Sequence, residues 1–262
     1  MKKHPVIISA SHSVGHIPKK YRERIALSDF EIWQMHDPFT DETSFYPEAY
    51  AIHKAKNHRI LGDLCRDGND KNIFRKKDFY GRTIWKNKVA LTTKEKKETL
   101  KKYWDPFRNA IRRSFKEIEK EGFKKILFID HHNTAIDHPA NKGQYLPPIN
   151  LGNYGNNTGE FVQKSLSSSP EIITAFQGFL KKELPELTIE MNSVYEGSSL
   201  IRFIQDTIKP EFPEYEIHGI HLEYNLNLIF NPISKRTDDA AKNKLHEGIN
   251  KSISSLIEKY FL

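Results

Sequence analysis

The chain has 262 residues, 37% of them hydrophobic and 11% aromatic, a length for one large α/β domain or two small ones. Its one cysteine excludes an intrachain disulfide and fits a reducing compartment. The net charge of +7 admits anionic substrates or nucleic acid. However, the lysines of "KEKKETLKK" and "FKEIEKEGFKK" are interleaved with glutamates as on solvated helix faces, and no zinc-finger, RNP or helix-turn-helix pattern supports nucleic acid as a partner.

The first apolar run, Val6–Ala10, reads as a strand that delivers His12. It is too short for a signal segment or a membrane span, so a soluble, cytoplasmic protein is expected. His16 follows four residues after His12, but Gly15 and Pro18 argue against a helix presenting both on one face. Ile60–Leu64 reads as a second strand, containing Asp63 and leading to Arg66. Residues 92 to 121 read as a helix capped by Thr92 or Thr93 and stopped at Gly122, with Pro106 breaking or kinking it near Asp105. Ile126–Ile129 reads as a strand delivering Asp130, His131 and His132.

Residues 137 to 159, rich in Pro, Gly and Asn, read as a long loop of the kind that often forms a lid. Helix is expected in the second half of 158–184, strand at Leu187–Met191, and strand again at Ile217–Tyr224, which carries Glu223. A closing amphipathic helix starts from a cap at Thr237 or Asp238. Alternating strands and helices favour a mostly parallel sheet covered on both faces. No repeat and no Ser- or Gly-rich linker divides residues 1–262, which reads as a single domain.

Ligands of open α/β sheets bind beyond the carboxyl ends of the strands. If these strands lie side by side, His12, Asp63, Arg66, Asp130, His132 and Glu223 converge. Two histidines and a carboxylate with one open position is the ligand set of a catalytic zinc. A further glutamate serves as general base, and an arginine holds an anionic substrate. Blander readings stand beside this one. His12 alone fits a cap or a surface residue, Glu223 fits the solvent side of a strand, and Asp63 with Arg66 fits a structural ion pair. There is no HExxH, and Gly15 stands where a HxxE pair would place its glutamate.

An ordered series of motifs resembles the N-formylglutamate amidohydrolase family. "SHSVGHIP" is similar to the opening PHSG and Ile-Pro pair of that family, and "HDPFTDE" to its DxG-type segment. "RILGDLCR" resembles RxxxDxNR, "YWDPF" a Tyr-x-x-Pro-aromatic helix motif, and "DHHN" a strand ending DxHS. "PPINLG", "NSVYEG" and "HLEYN" resemble the later Pro-x-x-x-Gly, N-x-x-Y-x-G and QxE-L-N elements. The series covers roughly residues 5 to 230.

The resemblance implies a three-layer α/β/α fold with a mixed, mostly parallel central sheet, as in zinc carboxypeptidases and aspartoacylases, and one zinc ion. His12 and His132 would be ligands, with His131 at the variable position. Asp37 would be the third ligand, with Asp41 or His16 as rivals. Glu223 would take the proton of a zinc-activated water, Arg66 would grip the substrate carboxylate, and Asp63 would orient its neighbours. Arg66 or Arg82 would help stabilise the oxyanion. Iron, cobalt or manganese would suit such a nitrogen–oxygen site as well.

The implied reaction cleaves the amide of a small anionic N-acyl amino acid. A carboxypeptidase or murein amidase, marked by a wide groove near residues 136–158, is the alternative, as is a decayed relative that only binds. Val14, Cys65, Asn133, Arg108 and Leu226 depart from the family pattern. Cys65 and Leu226 replace an asparagine and an arginine on the substrate side. Asn133 replaces a serine and is itself counted among the substrate-binding groups.

Overall fold

Side chains alternate across a strand, and this sorts the core into two layers. Strand β1 (His4–Ala10) sends Val6 and Ile8 to one face and Ile7 to the other. The computed structural model describes residues 3–86, 90–134, 145–162 and 165–262.

Three short helices follow β1: α1 (Lys19–Arg22), α2 (Asp29–Trp33) and α3 (Thr40–Thr43). Strand β2 (Ala49–Lys54) then runs parallel to β1. The expected strand at Ile60–Leu64 is not one. Residues Arg59–Leu61 form a 3-10 turn, the His58 ring accepting from the Ile60 amide at 3.1 Å, and Gly62 leaves it at φ 136°. Ile60, Leu61 and Leu64 are apolar because they are buried. Ile60 and Leu61 fill a satellite cluster with Tyr21, Ile25, Met35 and Trp85 under the loops. The true strand, "AYAIHK", is a half-buried edge strand with a weak apolar signal.

Helix α4 (Thr93–Thr99) opens on Thr92, whose hydroxyl and the Glu95 carboxylate form a capping box. Helix α5 (Asp105–Lys120) carries Pro106 in its first turn. The helix does not break there: a π-helical turn, Leu100–Trp104, the kind of irregularity at which helices kink, joins the two segments just before Asp105 and removes the need for a Pro106 amide. Gly122, at φ 82°, ends the element as expected.

Strand β3 (Lys125–Thr134) lies parallel between β1 and β6 (Glu216–Asn225). Strand β4 (Ile149–Gly152), inside the segment read as a loop, pairs antiparallel with β6 and parallel with β5 (Ile189–Met191). The six-stranded sheet therefore has the order β2-β1-β3-β6-β4-β5, mixed and mostly parallel. Residues 137–144 of the anticipated lid lie outside the described residues.

Helices α6 (Pro170–Glu183) and α9 (Asp239–Tyr260, capped by Asp238) cover one face, against Leu127, Ile129, Ile220 and Leu222. Helix α5, with α7 (Ser199–Phe203) and α8 (Lys209–Glu211) flanking a second π-turn, lies on the opposite side, where Ile126, Phe128 and Ile217 pack. The result is three layers, α/β/α. A small hairpin, β7 (Phe230–Asn231) with β8 (Arg236–Thr237), precedes α9. No helix among the described residues is long and apolar enough to cross a membrane.

Candidate metal and catalytic site

Two-residue alternation on two adjacent parallel strands builds the floor of the site. In register, Asp130 of β3 lies beside His221 of β6, and His132 beside Glu223. All four side chains therefore share one face, at the carboxyl ends of the strands. His12 joins them just after β1 ends.

Asp37 is brought in by backbone. Its amide donates to the His12 carbonyl at 3.0 Å, and its own carbonyl accepts the Thr40 hydroxyl at 2.6 Å. Phe39 completes this turn in the left-handed region, φ 68°, a strained conformation that its ring offsets by packing on Trp33 and Phe230.

One oxygen of Asp37 lies 3.3 Å from His12 Nδ1 and 2.8 Å from His132 Nδ1, so two ring nitrogens and a carboxylate oxygen meet at one point. The far side of each ring faces a second carboxylate. His12 Nε2 donates to Asp63 at 2.7 Å, and His132 Nε2 lies 3.0 Å from Asp130. An outer carboxylate hydrogen-bonded in this way, as Asp63 is to His12, fixes the tautomer and orientation of a metal-binding imidazole. Asp63 is wholly buried; Arg59 at 2.8 Å and the Cys65 amide at 3.2 Å offset the cost of burying it.

The electrostatics follow the contacts. Burial pushes the Asp37 carboxyl up, but His12 and His132 outweigh it and hold it well below the usual range. Asp63 is held low against burial by Arg59 and His12, and Asp130 by His132 and His221. Burial lowers His132, and Asp130 then raises it well above an ordinary histidine.

Glu223 is 8% exposed and lies 2.7 Å from His221 Nε2. A cavity of about 300 Å³ opens over these groups, walled by Arg59, Arg66, Arg75, Phe79, Tyr195 and Ser198 among others. Arg66 is tied to Asp70 at 2.9 Å and lies 3.5 Å from Asp63. Arg75 lies over the Phe79 ring, and burial pushes it down to about 10.

The sequence-derived candidates fall as follows. His12, Asp37, His132, Asp63, Arg66 and Glu223 all line the cavity. Asp41 is outside the donor group, and His16 is exposed. Asn133 reaches the cavity wall, but its amide donates to the Pro38 carbonyl at 2.5 Å and to Tyr224 at 3.0 Å. Its amide nitrogen thereby anchors the Asp37 turn from the cavity wall. Arg82 is not brought to the cavity. Its guanidinium is spent on Asp78 at 2.5 Å and Glu31 at 2.7 Å. Arg108 is buried and donates to the Arg66 carbonyl at 3.2 Å, and Leu226 is a core residue. The sequence patterns single out none of His221, Arg59, Arg75 and Tyr195, which also line the cavity. For His221 the signal was present: in "HLEYN" it stands two residues before Glu223 and so must share its face.

Fold and site together define a three-layer α/β protein with a compact polar cavity at the ends of its parallel strands, the arrangement of a small-molecule enzyme. The model of one family, N-formylglutamate amidohydrolase, matches residues 4–230, and the chain belongs to that family. An N-formylglutamate deformylase of Pseudomonas putida is 23% identical over 234 residues, spanning 84% of this chain and 79% of that protein. The crystal structure of an N-formylglutamate amidohydrolase from Ralstonia eutropha JMP134 superposes with a TM-score of 0.76 at 14% identity, over 99% of this chain and 96% of that one. A gene product of Agrobacterium tumefaciens superposes at 0.65 with 17% identity, over 97% and 92%. Both structures share the fold.

Proposed function

We propose that residues 1–262 act as one metal-dependent amidohydrolase domain that cleaves a small, anionic N-acyl amino acid of the N-formylglutamate kind. The observation that carries this is the meeting of ligand atoms of His12, Asp37 and His132 within 4.8 Å of one another, with Asp37 Oδ2 at 3.3 and 2.8 Å from the two Nδ1 atoms, beside Glu223. The donor set fits a divalent cation. Each imidazole has its far nitrogen facing a buried carboxylate, which leaves Nδ1 as the ligand atom, and zinc is the ion such a set most often holds. Bound there, the cation supplies Lewis acidity to a water and to the scissile carbonyl.

The protein's own groups do the rest. Glu223 takes the proton of the attacking water and returns it to the leaving amine. His221 Nε2 holds that carboxylate in place. Arg66, and Arg75 beside it, receive the substrate carboxylate, and Arg59 faces the developing oxyanion. A cavity of about 300 Å³ suits an acyl amino acid better than a peptidoglycan strand.

The test is elemental analysis with a screen of N-formyl, N-acetyl and N-succinyl amino acids. Chelation should abolish hydrolysis and Zn²⁺ should restore it, while His132→Ala should bind no metal at this site. Full activity in metal-free protein would overturn the reading. Metal-free, inactive protein that no cation rescues would favour a binding protein instead.

A further inference from the structure

On the far side of the His132 ring lies a second group of ligand-type atoms. Cys65, Asp130 and His132 each offer a ligand atom, all within 4.8 Å of one another. Cys65 Sγ is 3.8 Å from Asp130 Oδ2, and His132 Nε2 is 3.0 Å from it. A fourth candidate, His221 Nδ1, approaches the same oxygen at 3.9 Å. The donor spacings about Asp130 Oδ2 are close to the edges of a small coordination tetrahedron, roughly 3.3–3.8 Å for bonds of 2.0–2.3 Å.

Two of these atoms are poorly served by the protein alone. His132 Nε2 and His221 Nδ1 are buried and make no hydrogen bond. His132 Nε2 is out of line with Asp130, and His221 Nδ1 is too far from it. His221 donates its other nitrogen, Nε2, to Glu223. Its Nδ1 faces the buried Asp130 carboxylate at 3.9 Å with no hydrogen bond, an arrangement that a cation between them would relieve. Cys65 and His221 bring their ligand-type atoms to Asp130 from two other segments of the chain, the loop beyond the 3-10 turn and β6. Both residues line the cavity, which gives an ion a way in.

We propose that Cys65, Asp130, His132 Nε2 and His221 Nδ1 form a second, thiolate-containing site for a divalent cation, back to back with the first across the His132 ring. Thiolate and imidazole donors select Zn²⁺ or another thiophilic ion over Mg²⁺ or Ca²⁺. With a first cation held at His132 Nδ1, binding here would displace to solvent the Cys65 thiol proton, the His132 Nε2 proton and any proton on His221 Nδ1. It also fixes His221 as a donor to Glu223, so occupancy of this site bears on the general base. The site stands on its own donors and does not depend on the activity proposed above.

The test is a Co²⁺ titration of the chelator-stripped, reduced protein, read by equilibrium dialysis and by the near-ultraviolet thiolate-to-cobalt charge-transfer band. Two equivalents should bind, one of them with the band. Cys65→Ser and Cys65→Asn should lose the band and one equivalent. His221→Gln should weaken the band-forming equivalent by about tenfold or more. Circular dichroism identifies any variant that fails to fold, and the wild-type stoichiometry and band decide the matter without variants. One equivalent without the band, or two that survive both Cys65 substitutions, overturns the second site. One equivalent with the band supports this site and overturns the assignment of His12, Asp37 and His132 instead.

Discussion

Glu223 shows how much a single residue owes to its register. In β6 it lies beside His132 of β3 on one side and Asn150 of β4 on the other, at 8% exposure. Its carboxylate is thus held next to the converging imidazoles, with His221 Nε2 as its partner. In Glu223→Gln the amide oxygen can still accept from His221, so the site should survive while the proton acceptor is lost. We expect kcat to fall by about 10²–10⁴-fold, the usual worth of a general base, with metal stoichiometry unchanged. Steady-state kinetics beside elemental analysis checks this, and native turnover in the variant would remove Glu223 as the base. The D-x-H and H-x-E spacings that put these four side chains on one face were legible in the sequence. The partnership of Asn133 with Pro38 and Tyr224 was not, because it joins residues about 95 and 91 positions apart.

Elements were legible where one face is buried and the other is not. The closing helix, the cap at Thr92 and the stop at Gly122 follow from local chemistry that needs no partner. The run Ile60–Leu64 misled because continuous burial mimics a strand, whereas the real β2 carries a weak apolar pattern at the sheet edge. Helix packing offers an element-scale test. Gly248 in α9 faces Leu184 beyond the end of α6, and a Cβ there would lie 2.6 Å from the Leu184 side chain. Gly248→Ala gains about 1 kcal/mol of helix propensity, but overpacking a buried leucine costs about 1–3 kcal/mol, so the clash wins. A net loss of up to about 2 kcal/mol is expected in denaturant unfolding. A variant more stable than the parent would show that Leu184 yields freely.

At the scale of the whole molecule, buried histidines set the pH response. Burial pushes His53 down to about 4 and His58 and His131 down to about 3. Their unfolded values are near 6.5, so below that pH the unfolded chain binds more protons and stability falls with pH. Each contributes up to about 1.4 kcal/mol per pH unit until its folded value is reached. His132 and His221 have the opposite sign: burial lowers them, but Asp130 and, for His221, Glu223 raise them above the ordinary value. Their contribution is complete below about pH 6.5 and is lost as pH rises through the folded values. The metal-free protein should therefore be most stable near pH 6.5. The loaded protein should keep its stability on the alkaline side, because the ligand nitrogens then hold a cation in place of a proton. Thermal midpoints of both forms between about pH 4 and 8 check this, and superimposable profiles would contradict it.

Alternation and strand-end chemistry, read from the sequence by itself, determined that polar residues gather at the carboxyl ends of β1, β3 and β6, since a two-residue period leaves a side chain no choice of face. The ordered motifs likewise marked the family to which the chain belongs. Only the tertiary structure decided which carboxylate comes within reach of both imidazoles, and that Arg59 and Arg75 wall the cavity while Arg82 is held elsewhere by Asp78 and Glu31. Those outcomes depend on how loops such as Asp37–Phe39 close against distant strands. Loop closure is governed by contacts across the whole chain, which no local pattern encodes.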